Sequence, residues 1–256
     1  MLVQLPLLIR VILVATLIFA YYLGVKQLLF VAARMLALRL RRFSRHSRSE
    51  VQGVLELSFA VIGHIVFVVL FFAVSGVQLG DLGLDGPPLL LPLGALIGIG
   101  ELAVAMFFCQ LIVTGLDRSR VPVAVGASSA GTANPTSSWM SASRAGWVRH
   151  HISSFQVLPV SLSITLSGAQ VACEEIVFRS LLIVLFQDSG IAVSFIIPGA
   201  LFVIMQVFFM PSARAAMFPV VGGAIMAVVH GILFTSVPFV WPLIVAHVVF
   251  FYIAVL

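Results

Sequence analysis

The apolar positions of this chain fall into long runs rather than alternating with polar ones. A helix needs about 20 apolar residues to cross a hydrocarbon core. Seven stretches approach that length: 5–25, 57–77, 89–115, 154–186, 191–209, 218–236 and 239–256. The pattern predicts an all-α, polytopic transmembrane helix bundle of about seven spans. The first stretch reads as a retained span, because its start is weakly basic and no small-residue cleavage site follows it. The fourth is too long for one straight span, so a tilt, a bend or an extension into the interface is expected.

Between the runs, polar residues divide by sign. Lys26, Arg34, Arg39, Arg41, Arg42, Arg45 and Arg48 lie between spans one and two. Arg118, Arg120, Arg144 and Arg149 lie between three and four, and Arg214 between five and six. Thus twelve of the fourteen Lys and Arg residues fall on one side. The opposite connections carry Asp81, Asp85 and Asp188. The positive-inside rule then places the amino terminus outside and the carboxyl terminus in the cytoplasm of a multi-pass cell-membrane protein. In segment 26–48, Leu29, Ala33, Leu36, Leu40 and Phe43 recur at helical spacing, with Arg34, Arg41, Arg45 and Arg48 opposite. This reads either as an amphipathic helix on anionic lipid or as ordinary basic flanking. Residues 121–143 are rich in Ala, Ser, Gly and Thr, and Asn134–Pro135 marks a turn. They suggest a flexible cytoplasmic loop over 121–153, dividing a three-span region (1–120) from a four-span region (154–256).

Composition closes off the soluble alternatives. Hydrophobic residues make up 61% and charged residues 9%, with a mean hydropathy of +1.20. Soluble domains carry about 25% charged residues. The net charge of +5 orients the chain in its bilayer and calls for no nucleic acid. Cys109 and Cys173 both sit inside apolar runs and offer neither a disulfide framework nor a zinc pattern.

Ionisable groups inside a span are expensive, so each is a candidate site. Those here are Arg10, Glu56, His64, Glu101, Glu174, Glu175, Arg179, His230 and His247. Arg10 and Glu56 lie near span ends and are expected to snorkel. Glu101 follows the glycine-rich run 94–100, read as flexible, and reads equally as a partner for another helix or as a functional group. Lone histidines such as His64 and His230 are more often hydrogen-bonded interior groups than catalysts. The stretch 171–179 differs. Glu175 and Arg179 are four apart, in the favourable order for a helical ion pair. Glu174 points about 100° away and has no local cation, which suits a general base. The alternative is a charged cluster that only joins helices. Counting from span ends puts Glu174 and His64 at about 10 Å from the cytoplasmic side, His247 at about 13 Å and Gln206 at about 5 Å, with His230 nearer the outer face.

Glu174-Glu175-Ile-Val-Phe-Arg179 resembles the EExxxR motif of the CPBP family, the CAAX-protease and bacteriocin-processing (Abi) intramembrane endopeptidases. The resemblance covers roughly 154–256. That family's second motif is FxxxH; here Phe202-Val-Ile-Met-Gln206 keeps the phenylalanine and replaces the histidine. Its third motif is HxxxN or HxxxD; here His247-Val-Val-Phe-Phe251 keeps only the histidine. The resemblance implies a metal-independent, cofactor-free endopeptidase cutting near the carboxyl end of a membrane-tethered protein or peptide. It implies Glu174 as the base on water, Glu175 and Arg179 as the scaffold, and His247 as an oxyanion or orienting group. Gln206 can position water but cannot take a proton at neutral pH. The alternatives are a catalytically impaired member of the same fold acting by binding, in an immunity or scaffold role, and then a transporter.

Overall fold

In the computed structural model of the chain, the described residues are 1–40, 46–119, 148–208, 210 and 212–255. Of the expected flexible loop over 121–153, residues 121–147 lie outside them, while 149–153 are helical, part of Arg149–Val157. Among them the chain forms eight helices. These are α1 (Leu7–Leu40), α2 (Arg48–Ser75), α3 (Leu91–Ser119), α4 (Arg149–Val157), α5, α6 (Ile191–Phe208), α7 (Ala213–Ser236) and α8 (Trp241–Val255). Helix α5 runs through Val160–Glu175, a π-helical turn Ile176–Leu181, and Leu182–Phe186. Helices α1, α2, α3, α6 and α7 are long and apolar enough to cross a membrane, and α5 and the shorter α8 run through the bundle beside them. The protein is an integral membrane helix bundle.

Two boundaries differ from the sequence expectation. First, α1 does not end near residue 25. It passes through a π turn, Ala20–Val25, and continues to Leu40, packed along α2. Its buried face runs Val14, Ile18, Tyr21, Tyr22, Lys26, Ala33, Ala37. A π turn adds one residue to the helix, so adjacent Tyr21 and Tyr22 both face inward. In the basic segment Ala33 and Ala37 are fully buried and half-buried Leu29 lies against Gly63 of α2, while Leu40 is exposed. Second, the 154–186 run is broken. Leu158 is extended (φ −98°, ψ 157°) because the residue before a proline avoids the helical region, and Pro159 follows. Helix α4 is therefore separate from α5.

Capping sets the entry of α2. Ser47 accepts from the Glu50 amide while the Glu50 carboxylate accepts from the Ser47 amide, and the helix stops at Gly76 in the left-handed region (φ 81°). The glycines of α3 are not a flexible run. Gly94 and Gly98 lie inside the helix, and a methyl group at either would strike the backbone carbonyl of Pro242 or Ala246 on α8. The pairs 94/242 and 98/246 keep one offset, so α3 and α8 run parallel in close backbone contact, as small residues four apart permit.

Arg10 and Glu56 do not snorkel. Arg10 donates to both carboxylate oxygens of Asp188, at 2.6 and 2.9 Å, and to the carbonyls of Leu5 and Leu185. Buried Glu56 accepts from Gln52 and Arg149, with Arg34 at 3.7 Å. A charge that finds partners on a neighbouring element need not reach for the interface.

Candidate active site

Helix α5 carries Glu174 and Glu175 into the middle of the bundle. Because the helix begins only after the Pro159 break, Glu174 is fourteen residues in, about 21 Å along the axis. That is deeper than the expected depth of about 10 Å from the cytoplasmic side. The two carboxylates face different neighbours.

Glu175 is fully buried and held from two other helices. His247 of α8 donates from Nδ1 to Glu175 Oε1 at 2.7 Å. His230 of α7 donates from Nδ1 to Oε2 at 2.8 Å. Since a carboxylate oxygen accepts, both Nδ1 atoms carry hydrogens. Arg179, one π-helical turn on, brings Nε to 3.5 Å from Oε2. Its guanidinium lies over the Phe202 ring at 4.2 Å and makes no hydrogen bond among the described residues. On the far side of His230, Nε2 is 3.2 Å from Glu101 Oε1 of α3, without hydrogen-bond alignment. Five ionisable side chains from four helices thus share one dry layer. His230, counted nearer the outer face, belongs to this layer. The helix ends are not coplanar, so depths counted from them have no common origin.

Glu174 keeps 16% of its side-chain surface exposed and faces the amino-terminal helices. Its Oε1 is 3.9 Å from His64 Nε2 of α2, and Gln170 Nε2 lies at 3.5 Å, the limit of a hydrogen bond. His64 is fully buried, donates from Nδ1 to the Ala60 carbonyl at 2.7 Å, and has the Tyr22 hydroxyl 3.3 Å from Nε2. Lys26 adds a positive charge that interacts with Glu174, its ammonium resting 5.2 Å from the Tyr22 ring centroid.

Residues 156–253 match a family model described as Rce1-like, type II CAAX prenyl endopeptidase. Over those residues the chain is similar to the CAAX prenyl endopeptidases, in keeping with the CPBP-type EExxxR resemblance. No curated protein and no solved structure matches the chain.

Within the Rce1-like region, the expected site residues separate. Glu175, Arg179 and His247 meet; Glu174 adjoins them but turns to His64. Gln206 lies half-buried with its side chain against Gly223 of α7 and makes no hydrogen bond among the described residues. Phe251, one turn beyond His247, is buried with its ring 4.6 Å from that of His151 and packs on Val148. It docks α4 rather than offering a polar group. Among the described residues, no group of three or more His, Cys, Asp or Glu side chains could hold a metal ion. Around Glu175 the imidazoles present hydrogens, not lone pairs, toward the centre.

Sequence reasoning left Tyr22 unmarked, counted Lys26 only among the connecting cations, and named no partner for Glu101. A signal existed for Glu101. Residues 94, 98 and 101 fall on one helix face, so the glycines that open α3 to α8 also mark the inward face from which Glu101 reaches His230 of α7. For Tyr22 and Lys26, spaced i and i+4 behind Val14 and Ile18, the signal was an apolar face that did not stop at residue 25.

Proposed function

We propose that this protein is an intramembrane, metal-independent endopeptidase of the CPBP type, in which Glu174 activates water to cut near the carboxyl end of a membrane-tethered protein or peptide. One observation carries the reading. In an EExxxR helix matching a CAAX prenyl endopeptidase family, Glu175 is consumed by structural bonds while Glu174 stays partly exposed beside an imidazole. A carboxylate with a free lone pair and a way to water is what general-base hydrolysis requires. The depth of Glu174 suits a substrate that arrives through the bilayer. The reading also takes the amino terminus as outside and the carboxyl terminus as cytoplasmic.

The test is cleavage of an internally quenched peptide ending in a prenylated CAAX sequence by the protein in lipid nanodiscs. Glu174→Gln is expected to lower kcat by about 10²–10⁴-fold. Cleavage at the wild-type rate by that variant removes Glu174 from the chemistry. A second reading, a non-catalytic member acting by binding, is favoured by Gln206 and Phe251 standing where the family carries polar groups. It predicts an inert wild type and activity appearing in Gln206→His.

A further inference from the structure

The family's histidine on the helix of the second motif is missing here, and among the described residues of 156–253 none is bonded to Glu174 as a substitute apart from Gln170 at the distance limit. Resting on the endopeptidase reading, the geometry points to His64 of α2, outside the matched region, as a catalytic residue that shares the attacking water with Glu174, with Tyr22 as its positioning residue.

Three observations bear on this. The first is distance. Glu174 Oε1 and His64 Nε2 stand 3.9 Å apart. A water about 2.8 Å from each would bond both at once, since two such bonds enclose roughly a right angle. The second is tautomer. The Ala60 carbonyl can only accept, so it fixes the hydrogen on Nδ1; the Nε2 lone pair, on the side of Glu174, accepts and is shared between the Tyr22 hydroxyl at 3.3 Å and the water. The third is support. The Tyr21 ring centroid lies 5.2 Å from that of His64 and the Tyr22 ring centroid 5.4 Å, both edge-on, so the imidazole cannot turn away without moving α1. Both tyrosines sit in the π turn Ala20–Val25, a helix irregularity of the kind concentrated at functional sites. The residues Tyr22, Lys26 and His64 give the first two helices a chemical task that their apolar sequence did not announce.

The step balances with water alone. Glu174 takes one proton from the water held against His64 Nε2. The hydroxyl bonds to the peptide carbonyl carbon, giving a tetrahedral oxyanion. Collapse breaks the carbon–nitrogen bond, and the proton passes through the Glu174–His64 pair to the departing amine. The products are a carboxylic acid and an amine, and both side chains return to their starting state.

The peptide assay separates this inference from the reading beneath it. A wild type that does not cleave overturns both. Where the wild type cleaves and Glu174→Gln does not, His64→Gln decides. The expected result is a fall in kcat of about 10²–10⁴-fold with KM within about twofold, and the loss of one limb from the pH–kcat profile. Cleavage by His64→Gln at the wild-type rate overturns the assignment and leaves Glu174 as base. Should His64→Gln fail to accumulate in the membrane, Tyr22→Phe carries the test, because it keeps the ring contacts and removes only the hydroxyl at Nε2. A drop in kcat of about tenfold with unchanged KM and a displaced pH profile is expected; an unaltered profile overturns the role given to the pair.

Discussion

Adjacent glutamates on a helix diverge by about 100°, and here the divergence sorts them into two kinds of chemistry. Glu175 accepts two imidazole hydrogen bonds and faces a guanidinium that has no hydrogen bond of its own. Removing its charge leaves Arg179 uncompensated in a dry layer. Breaking a buried pair in this way costs about 3–5 kcal/mol. Glu175→Gln is therefore expected to lower the thermal unfolding midpoint in detergent by many degrees. Glu174→Gln, at a partly exposed site, is expected to move it little. A reversed order, read by tryptophan fluorescence on heating, would exchange the roles of the two residues. The residue types of the site were legible in the sequence, because an acidic pair in an apolar helix has few bland explanations. Their partners were not. Glu175 and His247 lie 72 positions apart, and Glu174 and His64 lie 110 apart, so only packing decides which imidazole meets which oxygen.

At the scale of helices, close approach and docking set the site. The α3–α8 contact depends on Gly94 and Gly98, and the same inward face of α3 carries Glu101 to His230 of α7. Gly98→Leu cannot fit against the Ala246 carbonyl without parting the helices. Overpacking typically costs about 1–3 kcal/mol or more, so a lower unfolding midpoint and weaker cleavage are expected together. The existence of the helices was plain from the apolar runs, but two of their ends were not. The run count could not register a proline break at 158–159, nor a buried face continuing past a lysine. Helix α4, outside the spans, carries a pH dependence. Burial, with the Lys26 charge second, pushes His151 down to about 3, and burial likewise holds His150 well below its ordinary value. His151 Nδ1 shares a hydrogen bond with the Ser167 hydroxyl, 2.8 Å away on α5, and burial of the docked ring favours its neutral form. Both groups bind protons more readily when unfolded, so stability is full above pH of about 6.5 and declines below it, by up to about 1.4 kcal/mol per pH unit for each histidine. Unfolding midpoints measured between pH 7.5 and 5.5 should fall on acidification, and His151→Gln should flatten that slope.

For the molecule as a whole, the two ends of the bundle differ in charge and in construction. At one end, Arg34 and Arg149 converge on buried Glu56, and Arg39 and Arg48 stand nearby in sequence at the adjoining helix termini. At the other end, Arg10 is clamped by Asp188 and by the Leu5 and Leu185 carbonyls, so this end's lone described Arg or Lys carries its own counter-ion. A bundle with its unneutralised cations at one end should insert with that end toward the cytoplasm, where anionic lipid and the membrane potential both favour it. The alternative orientation would place the Arg-rich end of α1 and α2 outside and Asp81 and Asp85 within. Single cysteines separate the two. Cys109 and Cys173 are buried and should label weakly in the parent protein. In intact cells, Asp85→Cys is expected to react with a membrane-impermeant maleimide, whereas Ser49→Cys should react only after permeabilisation. The opposite result would turn the whole bundle over. The cleft of about 340 Å³ between α2 and α4, lined by Ser49 and Arg149, would then face the outside instead of the cytosol.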